Sequence, residues 1–169
     1  MLSKDRVKLR PILREDLAKL NQWKNDEEIF MYLGGGFNPV SIDQQANWID
    51  NLIEMTDYNK RFMIEADGKP IGMIGLYSIN YINQNCEVGA YIGEKNLQGR
   101  GYGKIAYQLI EGYAREYLHQ RKIKLFVVKD NDRAYKYWGK LGFEKKGVYE
   151  EERFIKGKFR DLIIMEKFI

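Results

Sequence analysis

The sequence has very few cysteines, histidines and prolines. Among 169 residues there is one cysteine, Cys86, one histidine, His119, and three prolines. A lone cysteine excludes an intrachain disulfide and a multi-cysteine metal site, and it agrees with a reducing, cytoplasmic environment. Because no linker rich in proline, glycine or serine interrupts the pattern, we expect a single domain over residues 1–169.

Long hydrophobic runs are also absent. No apolar stretch approaches the roughly 20 residues that a membrane span needs. Residues 1–6 are too charged for a signal peptide, so we expect no membrane partner. The net charge is +4, from 28 basic and 24 acidic residues that are interspersed along the chain. Nucleic-acid binders usually concentrate basic residues on one face, so this pattern argues against a nucleic-acid partner.

The hydrophobic periodicity predicts a mixed α/β (α+β) fold with an antiparallel N-terminal half. A capping box at Ser41–Gln44 predicts a helix start, and Asp67–Pro70 predicts a hairpin turn. The predicted strand–loop–helix–strand pattern at 86–128 indicates two parallel strands joined by a crossover helix. The predicted order is a strand at 6–10, helices at 14–24 and from Ser41 onward, strands at 61–66, 71–77 and 86–93, a helix at 101–118, a strand at 124–128, a helix at 131–141 and a hairpin at 147–168.

A glycine-rich loop precedes the long predicted helix. Residues 97–104 are Leu-Gln-Gly-Arg-Gly-Tyr-Gly-Lys. Such glycines let backbone N–H groups converge at a helix N-terminus, where they bind a phosphate or pyrophosphate, and Arg100 and Lys104 could add charge. Ile105 follows Gly103-Lys104 where a Walker P-loop needs Ser or Thr, and the glycine spacing differs from a dinucleotide fingerprint. The alternative is a turn that merely starts the helix.

Two segments at a fixed spacing resemble the GNAT superfamily of N-acetyltransferases. Gln98-x-x-Gly101-x-Gly103 is similar to the acyl-CoA pyrophosphate loop of that family, whose pattern is Q/R-x-x-G-x-G/A. Further on, the segment 131–143 is similar to the family pattern N-x-x-A-x-x-x-Y-x-K-x-G-F, with Trp138 in place of the tyrosine. Residues 7–17 and 157–165 indicate the branch of ribosomal-protein N-terminal acetyltransferases and spermidine N-acetyltransferases. The resemblance covers essentially the whole chain.

The resemblance implies a GNAT fold and acetyl-CoA as co-substrate, without a metal. In that fold, flanking helices cover a mixed central sheet whose two parallel strands splay apart at the cofactor site. The splayed strand would pair with the pantetheine arm, the glycine loop would hold the pyrophosphate, and the helix after Asn131 would line the same groove. The implied cofactor-binding residues are Ala90, Tyr91, Ile92, Gln98, Gly99, Arg100, Gly101, Tyr102, Gly103, Lys104, Asn131, Trp138 and Lys140.

The implied reaction is attack of a neutral primary amine on the thioester carbonyl in a ternary complex. An alkyl ammonium has a pKa near 10, so a base or a water chain must remove its proton. Glu87 is the candidate, because it is the charged residue on the strand that would line the cofactor. The alternatives are a glutamate that only binds the substrate ammonium, and one paired with an arginine in the sheet.

The departing thiolate needs a proton or a hydrogen bond, and here the sequence departs from the family. The indole of Trp138 is no practical acid. Tyr137 is a second catalytic candidate, although one residue turns a helix by about 100°. Water and unaided departure are alternatives, and Cys86 is predicted to be a strand residue without a nucleophilic role. The unusual Trp138 also motivates a different hypothesis, a non-catalytic acyl-CoA-binding sensor.

Three acceptor classes are open: a peptide N-terminus, a polyamine, or another small amine. A polyamine site needs several carboxylates. Spermidine acetyltransferases carry acids on the strand that matches 71–80, where this sequence has Gly75 and Ser78. The acids at 26–28 could supply charge or form a solvated face. A homodimer through the final hairpin is a further hypothesis.

Overall fold

The computed structural model describes residues 2–52 and 56–169. Eight strands within these ranges form one mixed sheet. The strands are β1 (Leu2–Lys4), β2 (Val7–Arg10), β3 (Lys60–Ala66), β4 (Lys69–Asn80), β5 (Asn85–Ile92), β6 (Lys122–Val128), β7 (Glu144–Ile155) and β8 (Lys158–Phe168). The helices are α1 (Leu17–Lys24), α2 (Glu27–Phe30), α3 (Ile42–Leu52), α4 (Tyr102–Glu116) and α5 (Asp132–Lys140).

The strand order in the sheet is β1-β2-β3-β4-β5-β6-β8-β7. Neighbouring strands are antiparallel except β5 and β6, which are parallel and joined by the crossover helix α4. The predicted α/β class, the antiparallel N-terminal half and the parallel pair are therefore confirmed. Asp67 and Gly68 have φ angles of 51° and 76°, which suit the tight hairpin turn that the sequence predicts.

The capping box of α3 forms as the sequence predicts. The Ser41 hydroxyl accepts a hydrogen bond from the Gln44 N–H at 3.1 Å, and the Gln44 side chain accepts one from the Ser41 N–H at 2.8 Å. These two bonds satisfy N–H groups that a helix N-terminus otherwise leaves without partners. The start of α3 is therefore set by residues adjacent in sequence.

Two short elements were not predicted. The three residues of β1 pair with β2, after Asp5 turns the chain with a φ of 53°. The four residues of α2 begin after Asp26, whose carboxylate accepts from the Glu28 N–H at 3.0 Å. Elements this short contain at most one and a half repeats of a hydrophobic pattern, which is too few for periodicity to reveal them.

Helices cover both faces of the sheet, and β3 shows how the residues divide. Phe62 and Ile64 belong to the core beneath α4, where Ile110 is fully buried. Met63, which points the other way, packs in a second core with Trp23 of α1 and with a buried residue of α3. Because successive strand residues face opposite sides, one strand serves both cores. The second core places α1, α2 and α3 beside β4 and β5.

The two parallel strands pair over only three residues. The pairs are Asn85 with Lys122, Cys86 with Ile123, and Glu87 with Lys124, and the described residues show no further pair between these strands. Beyond this point β5 continues beside β4, and β6 continues beside β8. The strands therefore separate after Glu87 and open a wedge-shaped cleft in the middle of the sheet, which confirms the predicted splay.

A buried ion-pair cluster joins the first helical turn to the sheet. Arg10 makes two hydrogen bonds to the Asp16 carboxylate, both 2.8 Å long, and a third of 2.7 Å to Glu65 on β3. Asp16 is 2% exposed and also accepts from the Leu13 N–H. These bonds raise the pKa of the Arg10 guanidinium, so it stays charged although it is buried.

We predict that Asp16→Ala destabilises the fold by about 3 to 5 kcal/mol, because it leaves the buried Arg10 guanidinium short of its main partner. For a domain of this size the melting temperature should fall by about 10 °C. The matched control is Arg6→Ala, which breaks a surface pair with Asp67; the side chains of the two residues are 71% and 46% exposed. Thermal unfolding followed by circular dichroism compares the two variants, and equal melting temperatures would contradict the prediction.

Candidate active site

The cleft between the separated strands has a volume of about 610 Å³. Its walls come from β4, β5, β6, the start of α5 and the chain that follows α2. Among the described lining residues the charged side chains are Glu87 and Arg61. The cleft is therefore large, mostly apolar, and contains a single carboxylate.

One edge of β5 faces the cleft. The Gly93 N–H donates to the Ile71 carbonyl of β4 at 2.8 Å, whereas the Ile92 carbonyl accepts from the Gln98 side chain at 2.8 Å. Because the backbone polar groups of successive strand residues point to opposite sides, those of Ala90 and Ile92 face away from β4, and those of Tyr91 face towards it. Ala90 fits the expected backbone pairing with an extended ligand arm. Tyr91 instead contributes its aromatic ring to the cleft wall.

The glycine-rich loop turns tightly at the start of α4. Gly99 and Gly101 have φ angles of 74° and 88°, a region that favours glycine. Gly101 is the N-cap of α4 and offers no side chain to its first N–H groups, so those groups can bind an anion. Arg100 and Lys104 are exposed beside the loop, and Tyr102 is the half-buried first residue of the helix. The loop therefore fits the pyrophosphate of acetyl-CoA.

Gln98 holds this loop against the end of β5. Its amide nitrogen donates to the Ile92 carbonyl, and its amide oxygen accepts from Arg133 of α5 at 3.2 Å. These bonds link the loop to both walls of the cleft. The Gln98 side chain is thus engaged in positioning the loop, and its backbone N–H donates to the Lys95 carbonyl at 3.3 Å, so its contact with a cofactor stays a prediction.

Tyr137 lies beside the glycine loop. A Cβ atom added at Gly103 would lie 3.0 Å from the Tyr137 hydroxyl, so the tyrosine packs where only glycine fits comfortably. Burial raises the pKa of the Tyr137 hydroxyl, which makes its ionisation harder. Tyr137 is not among the described residues that line the cleft. The suggestion that it protonates the thiolate therefore has no support in its position, because one residue of helix turns the side chain by about 100°.

Trp138 and Asn131 line the cleft as α5 passes beside it. The Trp138 ring packs edge-on against Tyr107 and Phe143, with centroids 5.6 and 5.4 Å apart. The Asn131 side chain accepts from the Ala134 N–H at 3.2 Å and so caps α5. Lys140 is exposed at the other end of α5 and lies outside the described cleft lining, so its contact with a cofactor stays a prediction.

Glu87 lies at the point where the strands separate. Its carboxylate is 3.8 Å from the Lys124 ammonium of β6, and the Glu87 side chain is 29% exposed. The partner is therefore a lysine of the neighbouring strand, and not the arginine that the sequence suggested as one alternative. Glu87 keeps one side open to the cleft, where it can reach a ligand amine.

Tyr77 and Arg61 line the cleft and were missed from the sequence. The Tyr77 ring lies over Gly75 and Gly89, where added Cβ atoms would come within 2.7 and 3.2 Å of it. The Arg61 guanidinium stacks on the Tyr77 ring at 5.0 Å. Two glycines inside predicted strands were the available signal, since such glycines mark close approach of another group.

The part of the chain that the structure describes contains no cluster of three His, Cys, Asp or Glu side chains that could hold a metal ion. None of its helices is long and apolar enough to cross a membrane.

Comparison with known proteins agrees with this geometry. The sequence model of a family described as "Acetyltransferase (GNAT) domain" matches residues 6–144. Spermidine N(1)-acetyltransferase of Escherichia coli K12 is 30% identical over 98% of this chain and 87% of its own length. Acetyltransferase PseH of Campylobacter jejuni is 26% identical over 82% of both chains.

A solved structure is similar to this chain over nearly its whole length. Spermidine N-acetyltransferase of Vibrio cholerae, in complex with CoA and spermine, superposes with a TM-score of 0.88 at 26% identity. The superposition covers 98% of this chain and 96% of the other. These matches favour an enzyme over the alternative of a non-catalytic sensor. With a family match over most of its length and a cleft that fits acetyl-CoA, the chain belongs to the GNAT acetyltransferase family and is an acetyl-CoA-dependent N-acetyltransferase.

Proposed function

We propose that the chain acetylates the primary amine of a small molecule by direct attack inside the cleft, with Glu87 handling the proton of the amine. The observation that carries the proposal is the position of Glu87. It is the one carboxylate among the described lining residues, and it lies where the open edge of β5 leaves β6. An amine held there would meet an acetyl group delivered along the same edge.

The chain offers two binding elements for the co-substrate, whose thioester supplies an activated acetyl group. Backbone groups of Ala90 would pair with the extended pantetheine arm, as an added strand pairs with a sheet edge. The N–H groups at the start of α4 would hold the pyrophosphate. Asn131 and Trp138 would close the wall opposite β5, where they line the cleft.

Glu87 would take a proton from the incoming ammonium, either directly or through one water. The amine nitrogen then forms a bond to the acetyl carbon while the carbon–sulfur bond breaks. The nitrogen loses its second proton to water, and the thiolate takes a proton from water, so that the amide and the free thiol result. A protein acid is not required for that last step, since a thiol has a pKa near 8.5 and leaves readily. This agrees with Trp138 in the cleft and with Tyr137 turned to the glycine loop.

The identity of the acceptor, the cellular location, the number of domains and the oligomeric state stay predictions. Polyamine acetylation is a second candidate, supported by the spermidine acetyltransferase that is 30% identical to this chain. A peptide N-terminus as acceptor and a cytoplasmic location rest on the sequence alone, as does the single domain over 1–169. A homodimer is suggested by the exposed rings of Phe154 and Phe159 on the final hairpin.

We predict that Glu87→Gln lowers kcat by about 100-fold or more at neutral pH, because glutamine keeps the shape but cannot accept a proton. The defect should shrink as the pH rises towards the pKa of the amine, since more amine is then already neutral. CoA release measured from pH 6 to 10 tests this, and calorimetry should show unchanged CoA binding. Glu144→Gln, at an exposed carboxylate of β7, is the control. A raised KM with unchanged kcat would mean that Glu87 only binds the ammonium.

We also predict that Cys86 takes no part in the transfer. Burial, reinforced by the nearby Glu87 carboxylate, raises the pKa of this thiol to about 12. Only about one thiol in ten thousand is then ionised at pH 8. Cys86→Ala should therefore keep its turnover, and initial rates at varied amine and acetyl-CoA should give intersecting double-reciprocal lines. Parallel lines, which indicate a covalent acyl-enzyme, would refute direct attack.

A further inference from the structure

A second cavity adjoins the cleft on the side of the helices. It has a volume of about 270 Å³ and lies between α1, α3 and the strands β4 and β5. Phe30, Trp48, Met73 and Tyr91 border both this side cavity and the cleft. A ligand whose amine lies at Glu87 can therefore extend between these side chains into the side cavity.

Lys24 offers a positive charge in the same cavity. Its ammonium lies 4.5 Å from the centre of the Phe30 ring, and partial burial lowers its pKa. In the described part of the chain no carboxylate lies within ion-pair distance of it, whereas Lys19 of the same helix pairs with Glu94 at 2.7 Å. A half-buried lysine of this kind is suited to an anionic ligand group.

The nearby acids do not offset this charge. Asp26 and Glu28 both pair with Lys95, at 2.8 and 2.7 Å, and Glu27 pairs with Lys156 at 3.2 Å. These were the side chains that could have held the extra ammonium groups of a polyamine. Of the described residues that line the cleft and the side cavity, Lys24 and Arg61 are cationic and Glu87 is anionic. The combined site therefore favours one ammonium group and an anion.

We propose that the side cavity is the acceptor subsite, and that the acceptor is a primary amine joined to an aromatic or branched apolar body that carries an anionic group. The body would lie between Phe30, Trp48 and Tyr91, and the anion at Lys24. This inference rests on the proposed function, whose substrate class it names. Carboxylate and phosphate share the required chemistry.

The test uses amines in matched pairs that differ in the anionic group. 4-(Aminomethyl)benzoate is compared with 4-methylbenzylamine, 4-(2-aminoethyl)benzoate with phenethylamine, and 3-aminopropyl phosphate with 3-aminopropanol, so that each anion lies at the far end from the amine, and spermidine represents the polycations. Thiol release gives kcat and KM for each. We expect the aromatic anionic amines to exceed their neutral partners by about tenfold in kcat/KM, and to exceed spermidine. The aminopropyl pair separates phosphate from carboxylate recognition.

Variants connect the preference to the cavity. Lys24→Met should remove the advantage of the anionic amines by raising their KM, and Lys24→Arg should retain it. Lys69→Met removes an exposed lysine of the β3–β4 hairpin and should leave the preference unchanged. Melting temperature and CoA affinity identify any variant that fails to fold.

The same amines are titrated by calorimetry into the protein with CoA bound, so that the subsite is tested whether or not turnover occurs. A higher kcat/KM for spermidine than for every anionic amine would overturn the subsite and leave the acetyltransferase intact. Equal behaviour of wild type and Lys24→Met would also overturn it. CoA binding without thiol release from any amine would instead contradict the proposed function.

Discussion

The separation of β5 from β6 after Glu87 and Lys124 is the constraint on which the site depends. Had the two strands stayed paired to their ends, the backbone groups of Ala90 would be satisfied within the sheet and no cleft would exist. A sheet interrupted in its middle leaves polar backbone groups that need partners. Neighbours keep each strand in place, since β4 supports β5 and β8 supports β6 along the separated part. The fold thus holds an opening that an extended ligand can fill.

Small residues bring other groups close to this opening. Gly101 takes a left-handed conformation that lets α4 begin directly after the glycine-rich loop, and Gly103 leaves room for Tyr137. Gly75 and Gly89, which are register partners on β4 and β5, make a flat surface beneath the Tyr77 ring. Side chains at these two positions would displace Tyr77 and with it the stacked guanidinium of Arg61. The same two glycines therefore shape the floor of the cleft.

Charge pairing separates the residues that stabilise the fold from those available to a ligand. Arg10 and Asp16 form an ion pair in the interior. Lys95 pairs with two carboxylates, one from the N-cap of α2 and one from α2 itself. Lys24 and Glu87 differ. Among the described residues, Lys24 has no carboxylate within ion-pair distance, and the Glu87 carboxylate has one distant partner, the Lys124 ammonium at 3.8 Å. Groups with incomplete pairing in a concave apolar setting are the ones that bind and react.

The sequence by itself determined the order of the main elements, the capping box at Ser41 and the glycine-rich turn before α4, because each depends on residues that are close together in the chain. It also placed Glu87 on the strand that lines the cleft, since a charge on a predicted strand is conspicuous. Only the tertiary structure decided where Tyr137 points, which backbone groups of β5 are open, and that the acids at 26–28 are already paired. It also brought Lys24 and Gln45, which lie on different helices, to one cavity beside Tyr91. Such contacts join residues far apart in sequence, and no local pattern encodes the packing that creates them.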